Sequence, residues 1–336
     1  MSTKDKFENS GKGTSRRNIL QAASWAVGAC GVLPIARASG QQVGGEAPIV
    51  WLGMNQEELD AAYDQSAYAS NREQIVEQEM LSNQASIARL GQSERFAYGA
   101  GATESLEVYS SGRENAPIHI HFHGGTWRFG AARNFAYMAE PFVRKGAVMV
   151  IPDFSSVVEE DGGLPVLARQ VREAVAWTYR NAERFGGNPE RIYVSGHSSG
   201  GHLVAVVLTS DWPGTFNLPE NLIKGGLCIS GMFDLEPVQL SWRDSYLHLT
   251  DDVVEALSPQ RHIDHLNAPV IIANGTLETP EFQRQAKDFA AAIEVRGKPV
   301  QRLIGAGYNH FEIRVTLGNP YGLLGYAALE QMGLGV

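Results

Sequence analysis

Residues 193–202 read Tyr-Val-Ser-Gly-His-Ser-Ser-Gly-Gly-His, and this stretch decides the fold. An apolar, β-branched approach runs into Gly-x-Ser-x-Gly, and a helix-compatible run follows. A strand, a sharp turn, a serine and a helix form the context of a nucleophile elbow. A Cβ at Gly196 or Gly200 would clash in so tight a turn. The pattern predicts that Ser198 is a nucleophile, and a glycine-rich strand–helix turn without chemistry is the alternative.

Length and composition limit the classes of protein that the chain can form. Its 336 residues, 43% of them apolar, suit one large α/β domain with a substantial core. A net charge of −9 offers no basic face to nucleic acid. The two cysteines are Cys30 and Cys228. Cys228 lies in an apolar run, which predicts a buried thiol and no disulfide framework in the mature chain.

The first 38 residues have the pattern of a bacterial export signal. Arg16 and Arg17 precede a mild apolar stretch over 19–35, and Ala-Arg-Ala ends it at 36–38. Twin arginines, a moderate apolar region and a small-residue cleavage site predict a twin-arginine (Tat) signal peptide. The Tat export machinery is then a partner, and the mature protein is periplasmic or secreted. The apolar stretch is too short and interrupted to predict stable membrane insertion.

Two alternatives remain for this leader. Residues 27–30, Val-Gly-Ala-Cys, loosely match a lipoprotein box, so a lipid anchor at Cys30 is one of them. The other is a chance Arg-Arg pair before a core helix. Residues 39–54 follow as a polar linker, and 55–336 form the single predicted domain.

Two helices are predicted before the sheet begins, one capped by Asn55 and one over 71–90. This segment, about 55–95, is either a packing arm or a cap that borders the site. From residue 96 onwards strand and helix patterns alternate, which predicts an α/β protein with a mostly parallel sheet. The predicted strands are 106–110, 118–122, 147–151, 191–195, 225–230, 269–273 and 300–304. The predicted helices are 164–184, 279–296 and 321–332.

A glycine turn follows the second of these strands. Residues 123–127 read His-Gly-Gly-Thr-Trp. Acyl transfer needs backbone donors where the tetrahedral oxygen develops charge. We assign that role to the amides of Gly124, Gly125 and Ser199, with a plain glycine hairpin as the alternative. Ser199 is expected to act through its amide and not through its hydroxyl.

The base and the acid are predicted from their places after the last strands. His310 follows the final strand, and Glu278 lies in the loop after 269–273, which gives the chain order Ser, Glu, His. Glu281 is the rival acid, although the first turn of the next helix suits it better. The other histidines of the second half are predicted at the surface (His248, His262, His265) or as neighbours of the nucleophile (His197, His202).

A second constellation consists of His119, His121 and His123. They alternate, so in a strand they share one face, which could hold a metal ion. No acidic or cysteine residue stands at ligand spacing nearby, and the glycine turn already explains the position of His123. We therefore predict no metal site, and keep a metal-dependent hydrolase as an alternative.

Several motifs together resemble a known family. They are residues 55–63, 123–127, 196–203, 230–235 (Ser-Gly-Met-Phe-Asp-Leu), 258–259, 275–278, 282–285 and 309–311 (Asn-His-Phe). They look like α/β-hydrolases of the arylformamidase (kynurenine formamidase)-like group and, less closely, like carboxylesterases with an HGG oxyanion motif. The resemblance covers roughly residue 55 to the C-terminus. It implies a three-layer αβα sandwich and a Ser198–Glu278–His310 triad with those oxyanion amides. The glutamate departs from the aspartate often found, and the export signal departs from the cytoplasmic setting of tryptophan catabolism.

The resulting functional prediction is a serine hydrolase of a small ester or aryl-amide substrate that uses no metal or organic cofactor. A catalytically silent binding protein on a hydrolase fold is the alternative from another class. The candidate aromatic pocket consists of Trp127, Phe129, Phe154, Trp242, Tyr246 and Phe311.

Overall fold

The computed structural model describes residues 47–159 and 162–335. The predicted signal peptide, Cys30 and most of the linker therefore lie outside the described residues.

A single eight-stranded sheet forms the centre of the domain. Its strands are β1 (Glu94–Ala97), β2 (Ser105–Tyr109), β3 (Ala116–Phe122), β4 (Val148–Pro152), β5 (Gly187–His197), β6 (Ile223–Ile229), β7 (Val270–Gly275) and β8 (Val300–Gly305). The spatial order is β1-β2-β4-β3-β5-β6-β7-β8. Only β2 runs antiparallel to its neighbours, and all pairs from β4 to β8 are parallel. The carboxyl ends of the parallel strands consequently meet at one edge, where open α/β sheets bind ligands.

Helices cover both faces of this sheet. They are α1 (Gln56–Ala62), α2 (Arg72–Leu90), α3 (Ala136–Arg144), α4 (Leu164–Asn181), α5 (Ser199–Leu208), α6 (Trp212–Phe216), α7 (Glu236–Gln239), α8 (Asp244–Leu247), α9 (Asp251–Leu257), α10 (Pro280–Val295), α11 (His310–Val315) and α12 (Leu323–Gln331). None of the helices in the described part of the chain has the length and apolarity to cross a membrane.

Two apolar cores lie on opposite sides of the sheet. Helices α4, α5 and α10 pack on one face through residues such as Val171, Val204 and Phe289. Helices α3 and α12 pack on the other face through Phe142 and Leu329. Because both faces are covered, the strands read as continuous apolar runs. The predicted three-layer αβα sandwich is confirmed.

Several strands and helices begin or end at residues that differ from those predicted. Strand β5 begins at Gly187, four residues before the predicted start. The predicted helix 164–184 ends at Asn181, where a short 3₁₀ turn takes over. Strand β1 and helix α3 were not predicted. Strand β1 is a mostly exposed edge strand, so it lacks an apolar pattern. Helix α3 contains Pro141, which masks a helical pattern in sequence.

The N-terminal helices pack against the side of the domain that carries the C-terminal loops. Asn55 caps α1 with a full capping box, as predicted. The hydroxyl of Tyr63 donates to Glu281 at the start of α10, at 3.1 Å. Asn71, at the start of α2, donates to Glu312 in α11 at 2.6 Å. These bonds tie both helices to the elements that follow β7 and β8.

Candidate active site

Ser198 lies at the turn between β5 and α5. Its backbone has φ 58° and ψ −124°, a region that residues other than glycine rarely adopt. The Ser198 amide donates to the carbonyl of Ile229 at the end of β6, at 2.8 Å. A Cβ at Gly200 would overlap the carbonyl oxygen of Phe122, and one at Gly196 would overlap that of Gly200. The turn therefore needs both glycines, as the sequence predicted.

The glycine turn after β3 lies directly against this elbow. A Cβ placed on Gly124 would be 3.2 Å from the Cβ of Ser198 and 2.6 Å from the carbonyl oxygen of His197. The amides of Gly124, Gly125 and Ser199 donate to no other backbone group in the described residues. Ser199 is the first residue of α5, so its amide has no intrahelical acceptor. The structure thus brings three free donors close to one serine.

A buried hydrogen bond joins this glycine turn to helix α5, which begins directly after Ser198. The indole N–H of Trp127 donates to Nδ1 of His202 at 3.2 Å. Nε2–H of the same imidazole donates to the carbonyl of Leu257 at 2.8 Å. Both bonds require the neutral ring, and burial lowers the pKa of His202 to about 4. His202 is thus a neutral connector between the glycine turn, α5 and the end of α9.

His310 and Glu278 come together at the carboxyl edge of β7 and β8. His310 is the first residue of α11, which Asn309 caps. Its Nδ1 lies 3.5 Å from Oε2 of Glu278, and both side chains are buried. Burial lowers the pKa of His310, and the Glu278 carboxylate opposes that shift. An imidazole that is neutral near pH 7 can accept a proton, which is what a general base requires.

Glu278 is held in place by groups from two other loops. Its Oε1 accepts from the hydroxyl of Ser230 at 2.5 Å and from the amide of Gly275 at 2.8 Å. Oε2 is thereby left for His310. The rival acid Glu281 lies in the first turn of α10, as predicted, and pairs with Arg284 at 2.7 Å. Glu278, and not Glu281, is therefore the carboxylate that contacts His310.

His119 and His121 lie on one face of β3, and His123 follows the strand. All three side chains are buried, but their contacts are not those of a metal site. His119 Nε2 and His121 Nδ1 lie 2.6 and 2.9 Å from the same Ser195 hydroxyl. The ring of His123 stacks on Phe154 with centroids 4.4 Å apart. Across residues 47–159 and 162–335, no three His, Cys, Asp or Glu side chains are grouped so that they could hold a metal ion. Burial lowers the pKa of His119 to about 3.

The six candidate aromatic side chains fall into different positions. Phe311 packs edge-on against His310, with centroids 5.5 Å apart. Trp242 lies beside Tyr246, with centroids 5.7 Å apart. Phe129 is largely exposed next to the glycine turn. Trp127 is buried against His202, and Phe154 stacks on His123.

Several residues around the site were missed or undervalued in the sequence. His197 was taken as a mere neighbour, yet its Nε2–H donates to the carbonyl of His310 at 2.8 Å. Ser230 and His202 also contact site residues from distant segments, at Glu278 and Trp127. Arg243 contacts Tyr246 of the candidate aromatic pocket. Ser230 is the last residue of the predicted strand 225–230 and the first of the motif 230–235, and these positions are the signals that could have found it. Nothing in the local sequence marks Arg243.

The sheet order, the covered faces and the elbow are those of the α/β-hydrolase fold. The profile of the BD-FAE family matches residues 106–222. Kynurenine formamidase of Danio rerio is 28% identical over 296 residues, which cover 84% of this chain and 98% of that protein. Esterase LipQ of Mycobacterium tuberculosis is 24% identical over 61% of this chain and 53% of its own length.

Solved structures support the same fold. A Pyrobaculum calidifontis esterase superposes with a TM-score of 0.64 at 18% identity, covering 84% of this chain and 98% of that one. A propionate-bound thermophilic esterase from Thermogutta terrifontis gives 0.60 at 20% identity, covering 74% and 97%. At such identities the likeness establishes the fold alone.

Proposed function

We propose that this protein is a serine hydrolase that cleaves a small carboxylic ester or aryl-amide (formamide-like) bond through an acyl-enzyme. The observation that carries the proposal is the close approach of the glycine turn, at Gly124, to the strained elbow at Ser198. The Glu278–His310 pair at the same edge of the sheet supplies a buried imidazole and a carboxylate partner. The relatives named as kynurenine formamidase and esterase support both bond types as substrates.

The proposed reaction follows the general serine-hydrolase sequence. His310 takes the Ser198 proton as Oγ attacks the carbonyl carbon, and the amides of Gly124, Gly125 and Ser199 stabilise the oxyanion. The leaving alcohol or amine departs with the proton from His310. Water then attacks the acyl-enzyme, again losing a proton to His310, and the acid is released. Glu278 keeps Nδ1–H of His310 oriented and stabilises the imidazolium.

The deciding experiment compares Ser198→Ala with Ser199→Ala in purified mature protein. With an aryl acetate, Ser198→Ala should lose nearly all kcat, since no nucleophile remains. Ser199→Ala should change kcat only slightly, because its amide is retained. A fluorophosphonate probe should label the wild type and Ser199→Ala and should leave Ser198→Ala unlabelled. Esterase activity that survives in Ser198→Ala would show that the nucleophile is misassigned.

A substrate panel refines the bond type. It contrasts p-nitrophenyl esters of increasing acyl length with aryl formamides. We expect the shortest acyl groups, including formyl, to react fastest, and a preference for long acyl chains would contradict the formamidase-like part of the proposal.

We also propose that the protein works outside the cytoplasm after Tat export. Support comes from Arg16, Arg17 and the Ala-Arg-Ala at 36–38. N-terminal sequencing of the exported protein should begin at Ser39, and Arg16→Lys with Arg17→Lys should block export. Lipid modification at Cys30 would instead give a mature chain that begins there.

A further inference from the structure

Arg243 is a buried guanidinium with incomplete pairing. Its side chain lies next to α8 and the residue is 4% exposed. One terminal nitrogen donates to the backbone carbonyl of Tyr63 at 2.7 Å, and the other donates to the hydroxyl of Tyr246 at 3.2 Å. Its Nε has no hydrogen-bond partner among residues 47–159 and 162–335. Burying a charge without a counter-charge is costly, so such an arrangement calls for an explanation.

A second guanidinium approaches the same tyrosine. The Cζ of Arg128 lies 3.9 Å from the centroid of the Tyr246 ring. Within the described part of the chain, neither Arg128 nor Arg243 forms an ion pair with a carboxylate. The chain has 37 acidic residues against 28 lysines and arginines. A shortage of carboxylates therefore does not explain why two arginines without an ion pair lie against Tyr246.

The carboxylates of neighbouring elements are engaged elsewhere. Asp60 of α1 accepts from the backbone amide of Trp242 at 2.6 Å. Glu281 of α10 pairs with Arg284 and accepts from the hydroxyl of Tyr63. The contacts left to the two arginines are aromatic rings, hydroxyls and a backbone carbonyl, and none of these carries a counter-charge.

Tyr246 is oriented as a donor. Its hydroxyl oxygen accepts from Arg243, and its own proton has no acceptor among the described residues. Accepting a bond from a guanidinium polarises the O–H and strengthens the bond that it can donate. The hydroxyl of Tyr246 and the guanidinium of Arg128 thus form a donor pair, with Arg243 behind it.

One member of this donor pair belongs to the glycine turn of the candidate site. The amide of Arg128 donates to the carbonyl of Gly125 at 3.0 Å, so Arg128 belongs to the same turn as the proposed oxyanion donors. The charge of Arg243 is close enough to His310 to contribute to the lowering of the pKa of that imidazole. Both arginines therefore belong to the surroundings of the candidate site.

We propose that the substrate carries a carboxylate group, which Arg128 and the hydroxyl of Tyr246 bind and which Arg243 stabilises from behind. The inference rests on the proposed function, because it names the class of ester or amide that the same site hydrolyses. A planar carboxylate accepts two parallel N–H bonds from a guanidinium, which fits the fork of Arg128.

The test uses two matched substrate pairs, since the carboxylate could lie on either side of the scissile bond. On the acyl side, mono-p-nitrophenyl glutarate is compared with its methyl ester. On the leaving-group side, 4-acetoxybenzoate is compared with methyl 4-acetoxybenzoate. Each kcat/KM is divided by the rate constant of alkaline hydrolysis, which removes the difference in intrinsic reactivity. In wild-type protein at least one pair should favour the carboxylate by about 10- to 100-fold, the range expected for hydrogen bonds to a charged group.

Each of the variants Arg128→Met and Tyr246→Phe should lower the preference for the carboxylate substrate by about 10- to 100-fold. Arg128→Lys should restore part of it, because the positive charge returns without the planar fork. Arg180→Met is the matched control, since Arg180 is an exposed residue in the last turn of α4, which leads away from the carboxyl edge of the sheet. It should keep the wild-type ratio.

A binding measurement separates the two proposals. Titration calorimetry on Ser198→Ala should show benzoate binding more tightly than benzamide, and Arg128→Met should remove the difference. Ser198-dependent hydrolysis with no carboxylate preference in either pair would overturn this inference and leave the proposed function intact. Preferential benzoate binding in a protein that hydrolyses no ester would support the anion site and overturn the proposed function. Equal binding of benzoate and benzamide would overturn the proposed anion site, whether or not the protein hydrolyses esters.

Discussion

Trp127 donates its indole N–H to Nδ1 of His202 at 3.2 Å, which fixes the glycine turn to the helix that begins at Ser199. His202 completes the link by donating to the carbonyl of Leu257. The positions of the proposed oxyanion donors relative to Ser198 thus depend on a bond between two buried side chains.

A double-mutant cycle on this pair should show coupling. Trp127→Phe leaves Nδ1 of His202 without its donor, and His202→Phe leaves the indole N–H and the Leu257 carbonyl unsatisfied. Each should cost about 1–3 kcal/mol in the free energy of unfolding. The double variant should cost less than the sum of the two, measured by urea denaturation. Strict additivity would mean that the bond does not hold the turn.

Replacing the carboxylate next to His310 should be severe. Glu278→Gln keeps the shape but removes the charge that orients and stabilises the imidazolium, so kcat should fall by about 10³–10⁴. Ser230→Ala removes only a bond to Oε1 and should cost far less, on the order of tenfold. Steady-state kinetics on an aryl ester checks both. Equal losses in the two variants would show that Ser230 does more than hold Glu278.

The pH profile of kcat/KM should report the lowered pKa of His310. Burial disfavours the imidazolium, so the base stays neutral and active below the ordinary histidine pKa of about 6.5. The acid limb of the profile for a neutral ester should therefore lie below pH 6.5. In Glu278→Gln the residual activity should have an acid limb at still lower pH, because the carboxylate raises the pKa of His310. An acid limb above 6.5 in the wild type would contradict this assignment.

The buried histidines should make the fold sensitive to acid. The pKa values of His119 and His202 are lowered to about 3 and about 4, whereas an unfolded histidine has a pKa of about 6.5. Below pH 6.5 the unfolded chain takes up protons that the folded chain rejects. Stability is therefore complete above that pH and is lost as the pH falls. By pH 5 each of these two should have cost about 2 kcal/mol.

Unfolding free energies measured between pH 5 and 7.5 at constant ionic strength test this effect. His119→Gln should flatten the pH dependence, because the side chain can still hydrogen-bond to Ser195 and no longer titrates. The exposed His265 provides the control, and His265→Gln should leave the slope unchanged. A slope in His119→Gln that equals the wild-type slope would show that His119 is protonated in the folded protein.

The fold could be predicted from local patterns because each pattern is a property of a short segment. Continuous apolar runs indicate doubly covered strands, and the glycines around Ser198 are required by a turn that only a few residues make. His310 follows the last strand, and the carboxyl ends of parallel strands meet at one edge of the sheet. The sheet alone therefore places His310 at the same edge as Ser198. The sequence did not predict β1, because exposure removes its apolar pattern, or α3, because an internal proline masks its helical pattern.

The sequence by itself determined the sheet, the elbow and the candidates Ser198, Glu278 and His310. Only the tertiary structure decided between Glu278 and Glu281, because the choice depends on which carboxylate reaches Nδ1 of His310. It also supplied the bonds that join distant segments, such as Trp127 with His202 and Arg243 with Tyr63. Hydrogen bonds and charge pairing between segments have no periodicity along the chain, so only the folded arrangement reveals that a guanidinium is buried without a counter-charge.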